Sequence, residues 1–353
     1  MENCRAAIEI AAKEKKYRAE VKTVLQQIDE YAICLHELIA THSYKPTPYR
    51  IIRVADGLQR KEREIQVPAF FPDQCIHHAL MNILAPLLEK RMYYWSCGSR
   101  RGKGIAHAKK GIERATLQDP KHAKYAVKLD IAKCYPSIDN ARLFAAFQGI
   151  VKDPDALRLI RIIIGSCEGL PIGNYTSAWF CNFYLTRLDR IVKEKHKIRH
   201  YVRYIDDMVL IDSNKRKLRR AILEVERYAR DSLGLTLHDH WSIFKVRRAG
   251  DGKKNRPIDF VGYCFCVGYT TLRKRNALAI MRQSRRIRKR QAIGRAVSFR
   301  MAAGFLSRTG QLKHCKAQRL KQKYVDTVNI TELKEVIRNE SARQQRPAGR
   351  FFS

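Results

Sequence analysis

The sequence predicts an α+β fold. Three observations carry that expectation: apolar residues at helical spacing over residues 1–42, an alternating apolar stretch at Tyr201–Asp212 interrupted by two adjacent acids, and a shift to Arg- and Lys-rich helical sequence after residue 272. Within 1–42, Val21, Leu25, Ile28, Leu35 and Leu38 recur at three- to four-residue steps, the period of one helix face. Pro46 and Pro48 end that region. A second helical pattern spans 73–92, followed by a basic, Gly-rich loop at Ser99–Gly104 and a helix from Ile105 to about Thr116. Tyr125–Asp130 reads as a strand stopped by Pro136. Residues 139–165 read as two helices, Glu168–Gly173 as a turn-rich loop, and 174–194 as a helix. Tyr201–Asp212 reads as a β-hairpin, because apolar and polar residues alternate around a polar centre. A charged helix follows from Asn214 to Ser232, then short strands near 235–246 and 258–267.

Composition narrows the function classes. Lys plus Arg is 70 against 34 for Asp plus Glu, a formal net charge of +36 over 353 residues. Such a field attracts polyanions through release of counterions from phosphates, and a small neutral metabolite is a poor sole partner for it. The basic sequence after 272 reads either as a solvated charged face or as a surface that grips a nucleic-acid duplex. Ten cysteines are scattered from Cys4 to Cys315 with no CxxC pair, which suits reduced, buried thiols and not a zinc site. No apolar run is long enough for a membrane span, and the Met-Glu-Asn-Cys start lacks the pattern of a signal peptide, so the expected location is cytoplasmic with no membrane partner.

The acids at the strand ends carry the chemistry. Asp130 closes the strand Ala-Val-Lys-Leu-Asp, and Asp206 and Asp207 lie inside Tyr-Val-Arg-Tyr-Ile-Asp-Asp-Met-Val-Leu-Ile. Adjacent carboxylates among strand-forming apolar residues are costly unless water or a cation satisfies them. Taken alone, the pair reads equally well as an ordinary Asp-Asp hairpin turn. With Asp130 on a neighbouring strand it would form a three-carboxylate site for hard divalent cations, which prefer oxygen ligands.

Four blocks in sequence order extend that reading. Lys128-Leu-Asp-Ile-Ala-Lys-Cys-Tyr-Pro-Ser-Ile138, Gly169-Leu-Pro-Ile-Gly-Asn-Tyr-Thr-Ser177, Tyr204-Ile-Asp-Asp207 and Phe260-Val-Gly-Tyr263 resemble the palm and primer-grip blocks of reverse transcriptases over about residues 60–270. The resemblance implies a right-hand polymerase: an N-terminal helical extension at 1–60, fingers at 61–125, palm at 126–270 with finger insertions around 140–168, and a basic helical thumb and C-terminal tail at 271–353. It implies an RNA-directed DNA polymerase with Asp130, Asp206, Asp207 and the Ile131 carbonyl as ligands of two Mg²⁺ ions, Mn²⁺ being a possible substitute. Two such ions activate a 3′-hydroxyl and stabilise the leaving pyrophosphate. The primer grip would be Phe260, Val261, Gly262 and Tyr263. The partners would be template RNA, the cDNA/RNA duplex and dNTPs.

The resemblance also assigns nucleotide-binding residues. Arg100 and Lys103 would hold the triphosphate, with Arg101 a weaker candidate. Tyr135 would exclude a 2′-hydroxyl, or else is a core tyrosine. Ile172 and Gly173 would flank the nascent base pair. Many reverse transcriptases carry Gln at the position of Ile172, whereas those of diversity-generating retroelements carry an aliphatic residue in Ile-Gly-x-x-x-Ser-Gln. Ile172, Gly173 and Ser177 match that pattern and Ala178 departs from it. Isoleucine has no amide to hydrogen-bond, so discrimination at the base pair is expected to fall. The subgroup implies adenine-mutagenic copying of a template-repeat RNA, mutagenic retrohoming, a small basic accessory protein, and a bacterial or phage-encoded origin. A retron-type or phage-defence reverse transcriptase is the alternative, and a non-catalytic RNA-binding protein on a palm scaffold is the alternative outside enzymes. His240, in a run where relatives carry lysines, reads as a general acid or as a surface histidine.

Overall fold

The computed structural model describes residues 1–56, 61–251 and 254–345, and the expected C-terminal tail beyond 345 lies outside them. The chain divides into two compact units, Met1–Ile112 with Lys121–Phe244, and Glu113–Pro120 with Lys245–Ser353. The expected palm ran to residue 270, whereas this division falls at 244.

In the first unit the N-terminal helical region is three helices, Glu2–Ala12, Ala19–Gln26 and Ile28–Ala40. A hairpin follows, β1 (Arg50–Asp56) paired antiparallel with β2 (Lys61–Val67). The apolar helix Cys75–Glu89 matches the period seen at 73–92 and buries Ile76, Leu80, Leu84 and Leu88. Then come β3 (Ser96–Cys97), β4 (Tyr125–Leu129), β5 (His200–Tyr204), β6 (Asp207–Asp212) and β7 (Phe244–Lys245), which form one sheet in the order β3-β5-β6-β4-β7. The β3–β5 pair is parallel, and β4–β6 and β5–β6 are antiparallel.

Alternation along the sheet decides its two faces. Val127 and Leu129 of β4, Met208 and Leu210 of β6, and Tyr201 of β5 join the main hydrophobic core. Helices Tyr175–Tyr184 and Lys215–Leu233 supply the other side of that core through Phe180, Cys181, Leu218, Ile222 and Val225. The opposite register positions, Lys128 and Asp207, therefore lie on the other face. The expected single helix over 174–194 is divided into Tyr175–Tyr184, Thr186–Arg190 and a wider turn at Ile191–Lys195. The region 235–246 yields β7 and two isolated bridges, Leu237 with Ile131 and Val246 with Arg256.

The second unit begins its regular structure with β8 (Ile258–Phe260), β9 (Tyr263–Cys266) and β10 (Tyr269–Leu272), an antiparallel meander. The segment Glu113–Pro120 belongs here, since the Thr270 hydroxyl donates to Glu113 at 2.8 Å and the Gly268 amide donates to the Thr116 carbonyl at 3.1 Å. Helices Lys274–Ala292, Phe299–Gly310, Gln318–Tyr324 and Ile330–Gln345 follow. The first of these carries eight Lys or Arg and no acid in 19 residues. No helix among the described residues is long and apolar enough to cross a membrane.

Candidate active site

Strand register brings the acids to one edge. β4 pairs with β6 up to Leu129 opposite Met208, so one further step sets Asp130 opposite Asp207. Directly opposed residues of an antiparallel pair project to the same face. On its other side Asp207 pairs with Tyr204, which leaves Ile205 and Asp206 as the two-residue turn. Beyond Asp130 the chain continues in contact with the segment at 236–238: the Ala132 amide donates to the Thr236 carbonyl at 2.8 Å and the His238 amide to the Asp130 carbonyl at 2.9 Å. Ile131 is buried and bridges Leu237. His240 itself is exposed.

The electrostatics of Asp207 bear on a cation. Burial, helped by the nearby charges of Asp130 and Asp206 and opposed by the pull of Lys128, pushes its carboxyl up to about 6. Lys128 Nζ lies 2.9 Å from Asp207 Oδ2, while Oδ1 is buried with no hydrogen-bond partner. An orphaned anionic oxygen beside two more carboxylates fits a hard divalent cation. Among the described residues, no three carboxylate, imidazole or thiolate groups already converge on one metal-binding point. One oxygen of Asp207 is turned to Lys128 and the other is left without a partner. Lys128 was quoted in the palm block, but its pairing was not foreseen. The alternation of β4, which puts 128 and 130 on one face, is the signal that could have found it.

The turn is held from beneath by a buried polar cluster that sequence reasoning missed. Ile205 has φ +56°, a costly conformation for a β-branched residue. Its amide donates to the Cys97 carbonyl at 3.0 Å and its carbonyl accepts from Arg203 Nη1 at 2.7 Å. Arg203 has no exposed surface. Its Nε and Nη2 fork onto Asp189 at 2.7 and 2.6 Å, and Nη1 also donates to Asn182 Oδ1 at 2.9 Å. Tyr201 donates to the same Asp189 at 2.7 Å. Gly98 completes the seat: a Cβ there would lie 2.6 Å from Ile205 Cδ1.

Two other blocks close around this edge. The Leu170 amide donates to the Tyr135 carbonyl at 2.9 Å, joining the loop at 168–173 to the turn after Asp130. Tyr135 is half-buried. Burial raises its phenol well above the usual range, with Cys181 and the Asp206 carboxylate adding to the rise. Ile172 is 36% exposed, and its carbonyl accepts from the Gln66 amide of β2 at 2.9 Å. Gly173 has φ +145°, and a Cβ there would meet the Gln66 carbonyl oxygen at 2.1 Å. Only glycine lets the β1–β2 hairpin dock this closely.

Arg100, expected to hold the triphosphate, is enclosed by its own surroundings. Its side chain has no exposed surface and all its forks are used, Nε and Nη2 on Glu89 at 2.7 and 2.6 Å and Nη1 on the Tyr93 carbonyl at 2.8 Å and the Ser96 carbonyl. It pins the loop. Lys103 is also tied to Glu89 at 2.7 Å and stands 4.9 Å over the Tyr94 ring. Arg101 is the exposed cation of this loop.

In the second unit, Phe260 and Tyr263 are buried and face each other across the β8–β9 hairpin. Val261 and Gly262, at φ +42° and +90°, form its two-residue turn. Positive φ at both positions marks the type I′ geometry that matches strand twist. The residues expected as primer grip thus form a half-buried turn anchored by its flanking aromatics, with the Gly262 carbonyl accepting from the Arg273 amide at 3.1 Å and Asn276 Nδ2 at 3.3 Å.

Comparison with known proteins follows the same lines. Residues 61–265 match the family described as reverse transcriptase (RNA-dependent DNA polymerase). No curated protein is significantly similar to the chain in sequence. Among solved structures, apo telomerase from Candida tropicalis is 13% identical, with a TM-score of 0.49 over 90% of this chain and 64% of that one. The same telomerase truncated from its C-terminal domain is 13% identical, with a TM-score of 0.45 over 67% of this chain and 59% of that one. Telomerase from Candida albicans in complex with a TWJ fragment of telomeric RNA is 11% identical, with a TM-score of 0.45 over 85% of this chain and 62% of that one. The chain spans less than two thirds of each of these telomerase chains. The family match covers more than half of the sequence and contains the β4 and β5–β6 acids, so this chain belongs to the reverse transcriptases, the RNA-directed DNA polymerases of the right-hand fold.

Proposed function

We propose that this chain is the reverse transcriptase of a diversity-generating retroelement, which copies a template-repeat RNA into cDNA with errors at template adenines. The observation that carries the reading is Ile172, an aliphatic residue left partly exposed after the loop that joins Tyr135, with its backbone fixed by the Gln66 bond and the Gly173 contact. With no amide at this point, mispaired geometries lose a penalty that a glutamine would impose. Asp130, Asp206, Asp207 and the Ile131 carbonyl would hold two divalent ions, Mg²⁺ first. When bound, such ions supply Lewis-acid activation of the primer hydroxyl and stabilisation of pyrophosphate. Tyr135 would exclude the 2′-hydroxyl and so select dNTPs. Arg101 is better exposed than Arg100 to meet the triphosphate, with Lys103 beside it. Gly262 and Val261 would support the primer strand, and a small basic accessory protein would complete the system.

Ala178, in place of the subgroup's glutamine, favours the second reading, a retron-type or phage-defence enzyme. Primer extension on RNA with sequencing of the product separates the two. Wild type should extend in Mg²⁺ with substitutions concentrated at template adenines, Asp206→Asn should not extend, and Ile172→Gln should lower adenine errors by about tenfold. An error spectrum unchanged by Ile172→Gln would remove the basis of the proposal while leaving the polymerase intact.

A further inference from the structure

On the core side of the palm sheet, the helices of the first unit leave a solvent-open basin of about 410 Å³. Its lining contains four arginines, Arg91, Arg142, Arg187 and Arg190, and no acidic side chain. None of the lining side chains belongs to the acid cluster: Arg142 comes from helix Asn140–Gln148, Arg187 and Arg190 from Thr186–Arg190, whose buried Asp189 turns instead to Arg203, and Tyr228 from Lys215–Leu233.

The four guanidinium groups are poorly neutralised. Arg142 Nε and Arg190 Nε stand 3.9 and 4.0 Å from Asp139 and Glu194, at the limit of an ion pair and in solvent. Arg91 and Arg142 otherwise donate to the Leu87 and Asp231 carbonyls at 3.3 Å each, and the Arg187 side chain makes no hydrogen bond or ion pair among the described residues. Like charges gathered in one concavity repel, and that repulsion falls when an anion enters. All four cations are arginines, whose planar fork matches phosphate oxygens in pairs. Phe183 and Tyr228, both half-buried, also line the basin and offer ring faces for stacking. The volume lies within the roughly 300–1,000 Å³ of small-ligand pockets, enough for a nucleotide unit.

We propose that this basin is a second RNA site, apart from the polymerase edge, which takes single-stranded RNA by its phosphates on the arginines with a base against Phe183 or Tyr228. An acidic peptide would satisfy the charge but would leave the aromatic faces without a stacking partner. A single strand satisfies both, because base–aromatic stacking and phosphate contacts are the two general means of holding unpaired nucleic acid. The site would tether the unpaired part of a template while its paired part is copied. It rests only on this family's use of RNA templates and not on the retroelement reading.

The test uses the full chain with its polymerase edge saturated by an unlabelled RNA–DNA hybrid hairpin, and a fluorescein-labelled oligouridylate of about twelve residues as the probe, a length within reach of known single-strand sites. The double variant Arg187→Glu/Arg190→Glu should weaken oligouridylate binding about tenfold. It should also flatten the slope of log K against log salt by about 1.4, two contacts at roughly 0.7 each. Extension of a preformed hybrid should stay within about twofold of wild type, since neither arginine belongs to the polymerase site. In wild type, a 4-thiouridine probe should crosslink at or beside Phe183 and Tyr228. Unchanged affinity and slope, crosslinks confined to other segments, or displacement by polyglutamate of a site that ignores oligouridylate would each overturn the proposal.

Discussion

Arg203 shows how a residue remote from the substrate can set the geometry of the acids. Its guanidinium and the Asp189 carboxylate are both buried, so removing one partner leaves an uncompensated charge at a cost of roughly 3–5 kcal/mol. Arg203→Met should therefore lower thermal stability sharply. Arg203→Lys keeps the charge near Asp189 but cannot span Asp189, Asn182 and the Ile205 carbonyl together. The lysine variant should recover most of the folding stability yet lose at least about tenfold in kcat, with the KM for dNTP little changed, as expected for a group that positions the reacting geometry. A lysine variant with wild-type kcat would show that the cluster serves folding alone. At this scale the sequence was partly legible. Asp206 and Asp207 stood out because adjacent acids are anomalous in an apolar strand. Arg203 did not, because its partner Asp189 lies on another element and nothing in the local pattern marks the pair. Arg100 misled for the related reason that a basic residue in a Gly-rich loop looks exposed, while Glu89, a helix away, had already engaged it.

The elements that carry these residues depend on a few close approaches. Gly173→Ala would drive a methyl into the Gln66 carbonyl and impose φ +145° on a residue with a Cβ, a strain of about 1–3 kcal/mol. The expected outcome is faster hydrogen exchange at the Gln66 amide and a raised KM for dNTP, with the β4–β6 amides still protected. Helix Cys75–Glu89 carries a pH dependence of its own. Burial pushes His77 down to about 3, with His78 adding to the fall, and burial together with Lys15 pushes His78 down to about 4. Both Nδ1 atoms are buried without a hydrogen-bond partner, in keeping with neutral rings. The unfolded chain, where histidine titrates near 6.5, takes up these protons more readily than the folded one. Stability from these groups is present above about pH 6.5 and is lost as pH falls through the folded values, by roughly 3 kcal/mol for each ring at pH 4.5. Thermal melts between pH 7 and 4.5 should show that loss, and His77→Gln should reduce its slope. The helices with clean apolar periods and the Tyr201–Asp212 hairpin were legible in sequence. The β1–β2 hairpin was overlooked, although Asp56-Gly57 between alternating stretches is a turn signal, because charged residues interrupt its apolar pattern. The breaks within 1–42 and 174–194 were invisible, since the apolar period continues across them.

For the molecule as a whole, charge separates the tasks of its two units. Helix Lys274–Ala292 concentrates eight cations without an acid, and a field of that density favours hybrid duplex mainly through its phosphates. Affinity for a blunt RNA–DNA hybrid should fall steeply with salt, with a log–log slope of roughly −5 or steeper. Neutralising Arg282, Arg285 and Arg286 together should flatten that slope by about 3 while leaving sequence preference unchanged. A slope that did not respond would assign the helix to solvation. Net charge and the ordered blocks made the fold class readable at this scale. The placement of Glu113–Pro120 with the C-terminal unit was not, because it depends on pairing across long stretches of chain.

The pairing of β4 with β6 has a consequence for how such an enzyme can diverge. Asp130 and Asp207 share a face only because every rung of the ladder between them is counted correctly. One apolar side chain can replace another of similar volume along those rungs without displacing either acid. Gain or loss of a single codon inside β6 would invert the ladder, turning the acid inward and a core methionine toward solvent. Evolution can therefore revise this palm by matched replacement, while its length is frozen.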